Sequence, residues 1–312
     1  MLSYALRRMI GLLPLMAAVV LIVFLASRAM PGDPVATMLS DHSADKVMAD
    51  RLRAEYGLDQ PVAAQLWQYV VALLHGDLGL SYRYLHVRVI DVLAHGAGVS
   101  LALAVAALAV ALPLGVAMGV LAALRRGRWQ DDVLMALAAA AMSVPNFAVS
   151  TFLVYLLSIR WRLLPVAGWG APSQAVLPVL VLALPAAAYI ARLTRTFMLE
   201  VLRADYIRTA RAKGLRESQV VLGHALGNTL VPLATSVGVI FGGLLSATFV
   251  VETLFNIPGL GRLAIDSIFA RDYPVMTAIV LLFTLFYAVI NLGVDLLYVA
   301  IDPRIRLGGH GR

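Results

Sequence analysis

The sequence predicts an all-α polytopic membrane protein, with six transmembrane helices and a small, mainly helical external insertion between the first two. Three observations carry this prediction. Of 312 residues, 61% are hydrophobic and 14% charged, with a mean hydropathy of +0.85, whereas soluble chains carry about 25% charged residues. The apolar residues gather in six runs, near 9–27, 97–124, 133–159, 173–191, 225–251 and 274–301, each long enough as a helix to cross a hydrocarbon core of about 30 Å. Charges outside these runs are unequally divided. On the side that holds both termini lie fifteen cations and six anions, a net of +9, and on the other ten cations and eleven anions. Lys and Arg collect on the cytosolic face, so both termini are placed in the cytosol. The same asymmetry accounts for the overall charge of +7 without any nucleic-acid partner.

The first run, Met9 to Ser27, follows Arg7 and Arg8 and holds nineteen uncharged residues. Signal-peptide cores are about 7–15 residues long, so an uncleaved first helix is the reading adopted, with a cleaved signal as the alternative. Residues 30–96 are the one sizeable segment outside the membrane. Met30-Pro31-Gly32-Asp33-Pro34 stops the helix that leaves the membrane. Asp45 to Tyr56 reads as a surface helix closed by Gly57. Pro61 stands at the first position of a second helix, where its missing N–H costs nothing. Val62, Leu66, Tyr69, Val70 and Leu73 give that helix an apolar face, up to Gly76. Val87 to Ala94 reads as a short helix entering the second span.

The second run carries Pro113 and Gly115, the third Pro145 beside Asn146, and the fourth Pro178 and Pro185 after Pro172. Each internal Pro removes a backbone hydrogen bond and bends its helix. Four bends together suit a moving or cavity-lining bundle, while any one alone suits packing geometry. The last external loop, Glu252 to Tyr273, is too apolar to be simply exposed and is expected to pack back on the bundle mouth. Asp295 is the one charge inside a run. A carboxylate at the centre of a membrane helix costs about 3 kcal/mol, which points to a cavity or a partner, with Asn291 one turn away to share its hydrogen bonds. A hydrated position near the cytosolic end, two turns from Asp302, is the other reading.

Several chemistries are excluded. The chain has no Cys, which removes disulfides, thiolate metal sites and Cys nucleophiles. It contains no Gly-x-x-x-x-Gly-Lys-Ser/Thr phosphate loop, no His-Glu-x-x-His and no Gly-x-Ser-x-Gly. The six His are scattered at 42, 75, 86, 95, 224 and 310, without metal-ligand spacing, although His75, His86 and His95 could approach one another in the folded insertion. Six spans leave no room for a second large enzymatic domain.

Between the fourth and fifth runs lies a polar island, Asp205-Tyr206-Ile207-Arg208-Thr209-Ala210-Arg211-Ala212-Lys213-Gly214-Leu215. It has no helix breaker before Gly214 and two Ala, which predicts a short helix terminated at Gly214. A compact basic helix held between two spans is a docking device. On such a helix Tyr206, Ala210 and Lys213 share one side, and Arg208 and Arg211 another. The small Ala210 side is therefore expected to enter a partner's cleft, with cations at the rim.

The island resembles the cytosolic coupling loop, or EAA loop, of permease subunits in ABC importers, in the wording of the dipeptide/oligopeptide/nickel branch. Arg208 stands where the general pattern has Glu, so no role resting on that carboxylate carries over. The phrases Pro31-Gly32-Asp33-Pro34, Tyr56-Gly57-Leu58-Asp59-Gln60-Pro61, Gly76-Asp77-Leu78-Gly79-Leu80-Ser81, Arg271-Asp272-Tyr273-Pro274 and Asp302-Pro303-Arg304-Ile305-Arg306 resemble the same branch. So does the stretch from Glu252 through Pro258-Gly259-Leu260-Gly261. All occur in the branch's order.

The resemblance implies the type I ABC importer permease fold. Its segments would be 1–29 (tail and first helix), 30–96 (periplasmic insertion), 97–301 (five-helix core with the coupling loop at 200–224) and 302–312 (cytosolic tail). It implies an inner-membrane subunit forming half of a path for di- or oligopeptides delivered by a periplasmic binding protein, with nickel, another metallophore or glutathione as alternative cargo. It also implies a homologous second permease and two ATP-binding cassette subunits, on which the ATP and Mg reside, this chain having no ATPase site and binding no cofactor or metal. The implied coupling residues are Asp205, Tyr206, Arg208, Thr209, Ala210, Arg211, Lys213 and Gly214. Asp33, Asp77, Glu252, Pro258, Gly259, Arg271 and Asp272 are candidates for an external gate or a binding-protein contact. A rival of another class, the ion-coupled secondary transporter, would show paired intramembrane charges or inverted repeats. The sequence offers only Asp295 and no clear repeat.

Overall fold

Backbone amides that leave water must find partners within their own segment, and most described residues accordingly lie in helices. The computed structural model describes residues 2–29, 35, 39 and 46–301. In chain order the helices are α1 (Leu2–Ala29), α2 (Lys46–Glu55), α3 (Val62–Leu74), α4 (Val89–Leu124), α5 (Trp129–Ser143) and α6 (Asn146–Leu153), which continues as a π-helical turn over Val154–Arg160. They continue with α7 (Pro172–Val201), α8 (Asp205–Ala212), α9 (Glu217–Gln219), a second π-helical turn over Val220–Ala225, α10 (Leu226–Leu254), α11 (Leu260–Ala270) and α12 (Tyr273–Ile301).

Among the described residues, four helices are long and apolar enough to cross a membrane: α4, α7, the continuous 217–254 stretch and α12. The pair α5 and α6 meets at 103° and makes a fifth if it is one span, and Leu13–Ala29 of α1 is a shorter apolar helix. The bent pair replaces the single helix expected near 133–159. Its cause is local: Pro145 forces Val144 out of the helical region, to φ −84° and ψ 124°. By contrast Pro113, Pro178 and Pro185 lie inside uninterrupted helices.

The insertion helices fall where expected, with Gly57 and Gly76 at positive φ just beyond their ends. Pro61 caps α3 rather than beginning it. The short helix expected over Val87 to Ala94 is instead the first turns of α4, and the loop expected over Glu252 to Tyr273 contains α11. Helix α7 runs to Val201, well past the expected end at 191.

The chain divides into two units, one of Leu101–Ile257 with the segment from Val289 onward, the other of Leu2–Ser100 with Pro258–Ala288. In the first, α4 and α7 approach so closely that a Cβ on Gly115 would lie 2.6 Å from the Ala187 carbonyl oxygen, and one on Gly119 2.5 Å from that of Ala191. On α7 the contact with these glycines is made by Ala187, Ile190, Ala191 and Thr194, all of them buried. Lipid tails are as apolar as Leu, so membrane helices associate through such close backbone packing. Arg195 of α7 donates two hydrogen bonds, of 2.6 and 2.7 Å, to the buried carboxylate of Asp131 on α5. Gly127 N–H donates a third to the same group, at 3.2 Å.

Gly119→Leu should therefore destabilise the isolated chain by about 1–3 kcal/mol or more through overpacking. Gly227→Ala, where an added Cβ meets nothing within 4 Å, should be neutral or slightly stabilising. Thermal unfolding of the detergent-solubilised variants checks both, and equal melting temperatures would contradict the seam.

Candidate coupling helix and external sites

Helix α8 is short because both of its ends are encoded locally. Ala204 is extended before it, and Asp205 places a carboxylate in the first turn, where the helix dipole favours it. At the other end Gly214 adopts φ +79°, a conformation that costs an L-residue about 1–2 kcal/mol. The Gly214 N–H donates to the Arg211 carbonyl at 2.9 Å and the Leu215 N–H to that of Ala210 at 3.4 Å, which is the Schellman arrangement.

The helix has one buried face. Ile207 is fully buried and Ala210 is 7% exposed, packed with Ala123, Met198, Val220, Val221 and Ala225. The expected docking of Ala210 in a partner's cleft is therefore corrected: Ala210 faces its own chain. The signal in the sequence was the Ile207/Ala210 spacing, which puts two apolar side chains on one face. Tyr206, Arg208, Thr209, Arg211 and Lys213 point outward and are exposed. Arg208 pairs with Asp205 at 3.4 Å, and Arg211 grips Glu217 with bonds of 3.1 and 2.6 Å. The hydrogen bond to Glu217 raises the Arg211 guanidinium above its ordinary pKa.

Met198, in the last turn of α7, is fully buried in the cluster with Ile207, and its sulfur accepts a hydrogen bond from Thr229 of α10 at 3.3 Å. One buried cluster thus joins α8 to α4, α7 and the start of the 217–254 stretch. Sequence reasoning passed over Met198, Asp131 and Arg195. Elsewhere in this unit Asn291 sits against Gly238, where a Cβ would meet its amide oxygen. The side chain of Asp295 lies outside the described residues. Glu252 is fully buried, which removes it from any surface offered to a binding protein.

In the unit Leu2–Ser100 with Pro258–Ala288, Asp272 is a buried organiser and not an exposed contact, being 1% accessible. Its carboxylate accepts from Ser81 Oγ, from Tyr82 N–H at 3.0 Å and from Arg83 N–H at 3.3 Å, pinning the 81–83 turn beside the start of α12. Arg271 is left-handed at φ 55° and closes α11. Gly259 is buried against Gly96, and the Leu260 N–H donates to Ser100 Oγ at 2.8 Å. Pro258 is exposed, and Asp77 is an exposed turn residue that accepts from the Gly79 N–H at 2.9 Å. Asp33 lies outside the described residues.

The same unit holds a cavity of about 510 Å³ bordered by Phe24, Arg28, Tyr56, Tyr69, Tyr82 and Tyr273 among others. Phe24 stacks on Tyr69, and Tyr82 meets both Tyr56 and Tyr273 edge-on. Burial pushes the Tyr69 hydroxyl up to about 12, so it remains an O–H donor at neutral pH. His86 is taken by Glu55 at 3.3 Å and His75 by the Val71 carbonyl at 2.8 Å. Among the described residues no three His, Asp or Glu side chains gather as a metal site.

Long apolar helices with a short basic helix anchored to them by two side chains define a multi-pass membrane protein. A family model described as the binding-protein-dependent transport system inner membrane component matches residues 115–307, and the N-terminal model of such membrane components matches residues 1–84. The chain belongs to this family of ABC importer permeases. It is 42% identical over 306 residues to the glutathione transport system permease protein GsiC of Shigella flexneri serotype 5b (strain 8401), covering 98% of this chain and 99% of that one. The same figures hold for the proteins of that name from Escherichia coli (strain K12) and Salmonella choleraesuis (strain SC-B67). A solved inward-facing structure of the MetNI methionine ABC transporter shares the fold, with a TM-score of 0.59, 20% identity and coverage of 68% of this chain and 97% of that one. Family membership sets aside the reading as an ion-coupled secondary transporter.

Two stability tests follow from the burial pattern. Ala210→Trp should lower the melting temperature and the yield of folded protein, whereas Tyr206→Ala should change neither. Asp272→Ala strands the Tyr82 and Arg83 amides and the Ser81 hydroxyl, and should cost about 2–3 kcal/mol, read as earlier unfolding.

Proposed function

We propose that this chain crosses the bacterial inner membrane six times, with α1 and the bent α5/α6 pair each counting as one crossing. Both termini then lie in the cytosol and residues 30–96 outside. In this reading it pairs with a second, homologous permease to enclose the path, and with two ATP-binding cassette subunits that hold the ATP and Mg. An external binding protein delivers the cargo. The observation that carries the reading is the build of α8: Ile207 and Ala210 fasten it to the transmembrane helices, while Tyr206, Arg208, Arg211 and Lys213 face outward. Such a helix transfers a push from an acidic-rimmed cleft to α7 through Met198.

The cargo is glutathione or a related short peptide. The names of relatives matched over nearly their whole length support that class, and favour it over nickel or another metallophore. Peptide in the broader sense agrees with the phrases of the external segments.

Reporter fusions at Asp50 and Glu217 should lie on opposite sides of the membrane, and finding both on one side would overturn the topology. In liposomes, glutathione uptake should require ATP, both nucleotide-binding subunits and the binding protein, and the chain alone should hydrolyse no ATP. Uptake by the chain alone without nucleotide would overturn the machine. Reversing charge with Arg208→Glu and Lys213→Glu together should lower transport per ATP hydrolysed while leaving the chain's abundance unchanged. Gly214→Pro should do the same, since Pro cannot adopt a positive φ.

A further inference from the structure

Helix α3 has its polarity reversed. It carries no charged residue, whereas α2, just before it in the chain, carries Lys46, Asp50, Arg51, Arg53 and Glu55. Residues three, four and seven apart share a helix face, so Ala63, Trp67, Val70 and Leu74 form one apolar stripe. Trp67 is 69% exposed and Leu74 81%, and Ala63 is exposed as well. On the opposite side Gln65 is buried, and its amide nitrogen donates to the Gln60 carbonyl at 2.7 Å. Tyr69, on that side too, stacks on Phe24 of α1 with ring centroids 6.1 Å apart. A helix at a water-facing surface turns its amides outward and its Trp and Leu inward. Helix α3 does the reverse, which suits a surface in contact with lipid.

The contact with α1 gives the level of that surface. Phe24 stands three residues before Ser27, where the uncharged run of α1 ends, and Arg28, the first charge beyond it, lies over the Phe24 ring at 5.3 Å. At the helical rise, Phe24 is about 4–5 Å inside the end of that run. On the same turns Leu21, Ile22 and Leu25 of α1 are exposed. Helices that lie in a membrane interface bury their apolar face about 5–10 Å into the boundary between headgroups and acyl chains. Trp is enriched at that level.

We propose that α3 is seated on the external lipid surface, with Trp67 and Leu74 at the boundary between headgroups and acyl chains. A delivering protein that comes and goes would leave the stripe in water after each encounter, whereas lipid covers it throughout. Seated in this way, α3 holds the external segment at a fixed height over the end of α1. The level rests on the reading above in which α1 crosses the membrane. The reversed polarity of α3 does not.

The chain has no Cys, so single spin labels can be placed without background. Trp67→Cys, Leu74→Cys, Ile22→Cys on α1 and Asp50→Cys on α2 are labelled in the full chain in lipid nanodiscs, alone and in the assembled transporter. Relaxation by oxygen, which concentrates in lipid, is compared with relaxation by a water-soluble nickel chelate. The labels at 67, 74 and 22 should favour oxygen and the label at 50 the chelate. All four side chains are exposed, so the variants should melt with the parent. In a chain carrying Trp129→Phe, Trp161→Phe and Trp169→Phe, brominated acyl chains should quench the emission of the remaining Trp67.

The proposal is overturned if the labels at 67 and 74 favour the chelate as the label at 50 does, or if brominated lipid leaves Trp67 unquenched. It is also overturned if assembly or the binding protein shields both labels from both reagents, which would mark a protein-facing stripe. Chelate access at 22 as well would bring down the crossing by α1. Oxygen access at 22 with chelate access at 67 and 74 counts against the seating of α3 alone.

Discussion

The close approach of α4 and α7 is the constraint around which the helices of this unit are arranged. In a solvent of lipid tails, burying Leu against Leu gains little, so helices hold each other by bringing backbones together. Gly115 and Gly119, one turn apart on α4, let the Ala187 and Ala191 carbonyls of α7 approach to distances that no side chain would tolerate. Helix α7 continues beyond the seam to Val201. That end carries Met198, against which Ile207 and Ala210 seat α8.

Polar groups finish what the seam begins, and they do so by satisfying one another completely. The buried Asp131 carboxylate accepts two bonds from Arg195 and one from the Gly127 amide, so it fastens α5 to α7 without leaving a charge unpaired. Breaking such a buried pair by removing one partner is far more damaging than never having built it. Asp272 plays the same part in the other unit, gathering a hydroxyl and two amides of the 81–83 turn. Each carboxylate is thereby withdrawn from contact with other proteins and becomes a geometric fixture.

The exposed cations of α8 work under the opposite rule. Arg208 and Arg211 already lean on Asp205 and Glu217 at the surface, and exposed pairs of this kind are typically worth only about 0–1 kcal/mol. They hold the helix's own surface loosely and are free to exchange partners. An anchor of buried apolar residues and a rim of exchangeable charge together make an element fixed on one face and adaptable on the other.

The sequence by itself determined the helical membrane class, the short helix ended by Gly214, the helices before Gly57 and Gly76, and the family to which the chain belongs. These depend on composition, periodicity and backbone rules that act within a few residues, so they can be read without knowing what lies opposite. Ala210, Asp272 and Glu252 show where such reading stops. Each looks like a surface residue in its local phrase, and each is buried, because burial depends on neighbours far away in the chain: Met198 for Ala210, the 81–83 turn for Asp272. The break at Pro145 belongs to the same group, since Pro113, Pro178 and Pro185 carry the same local chemistry and leave their helices uninterrupted. Only the tertiary structure decided these, because whether a side chain is buried or a helix is broken is settled by packing and partners, not by the residue's own preference.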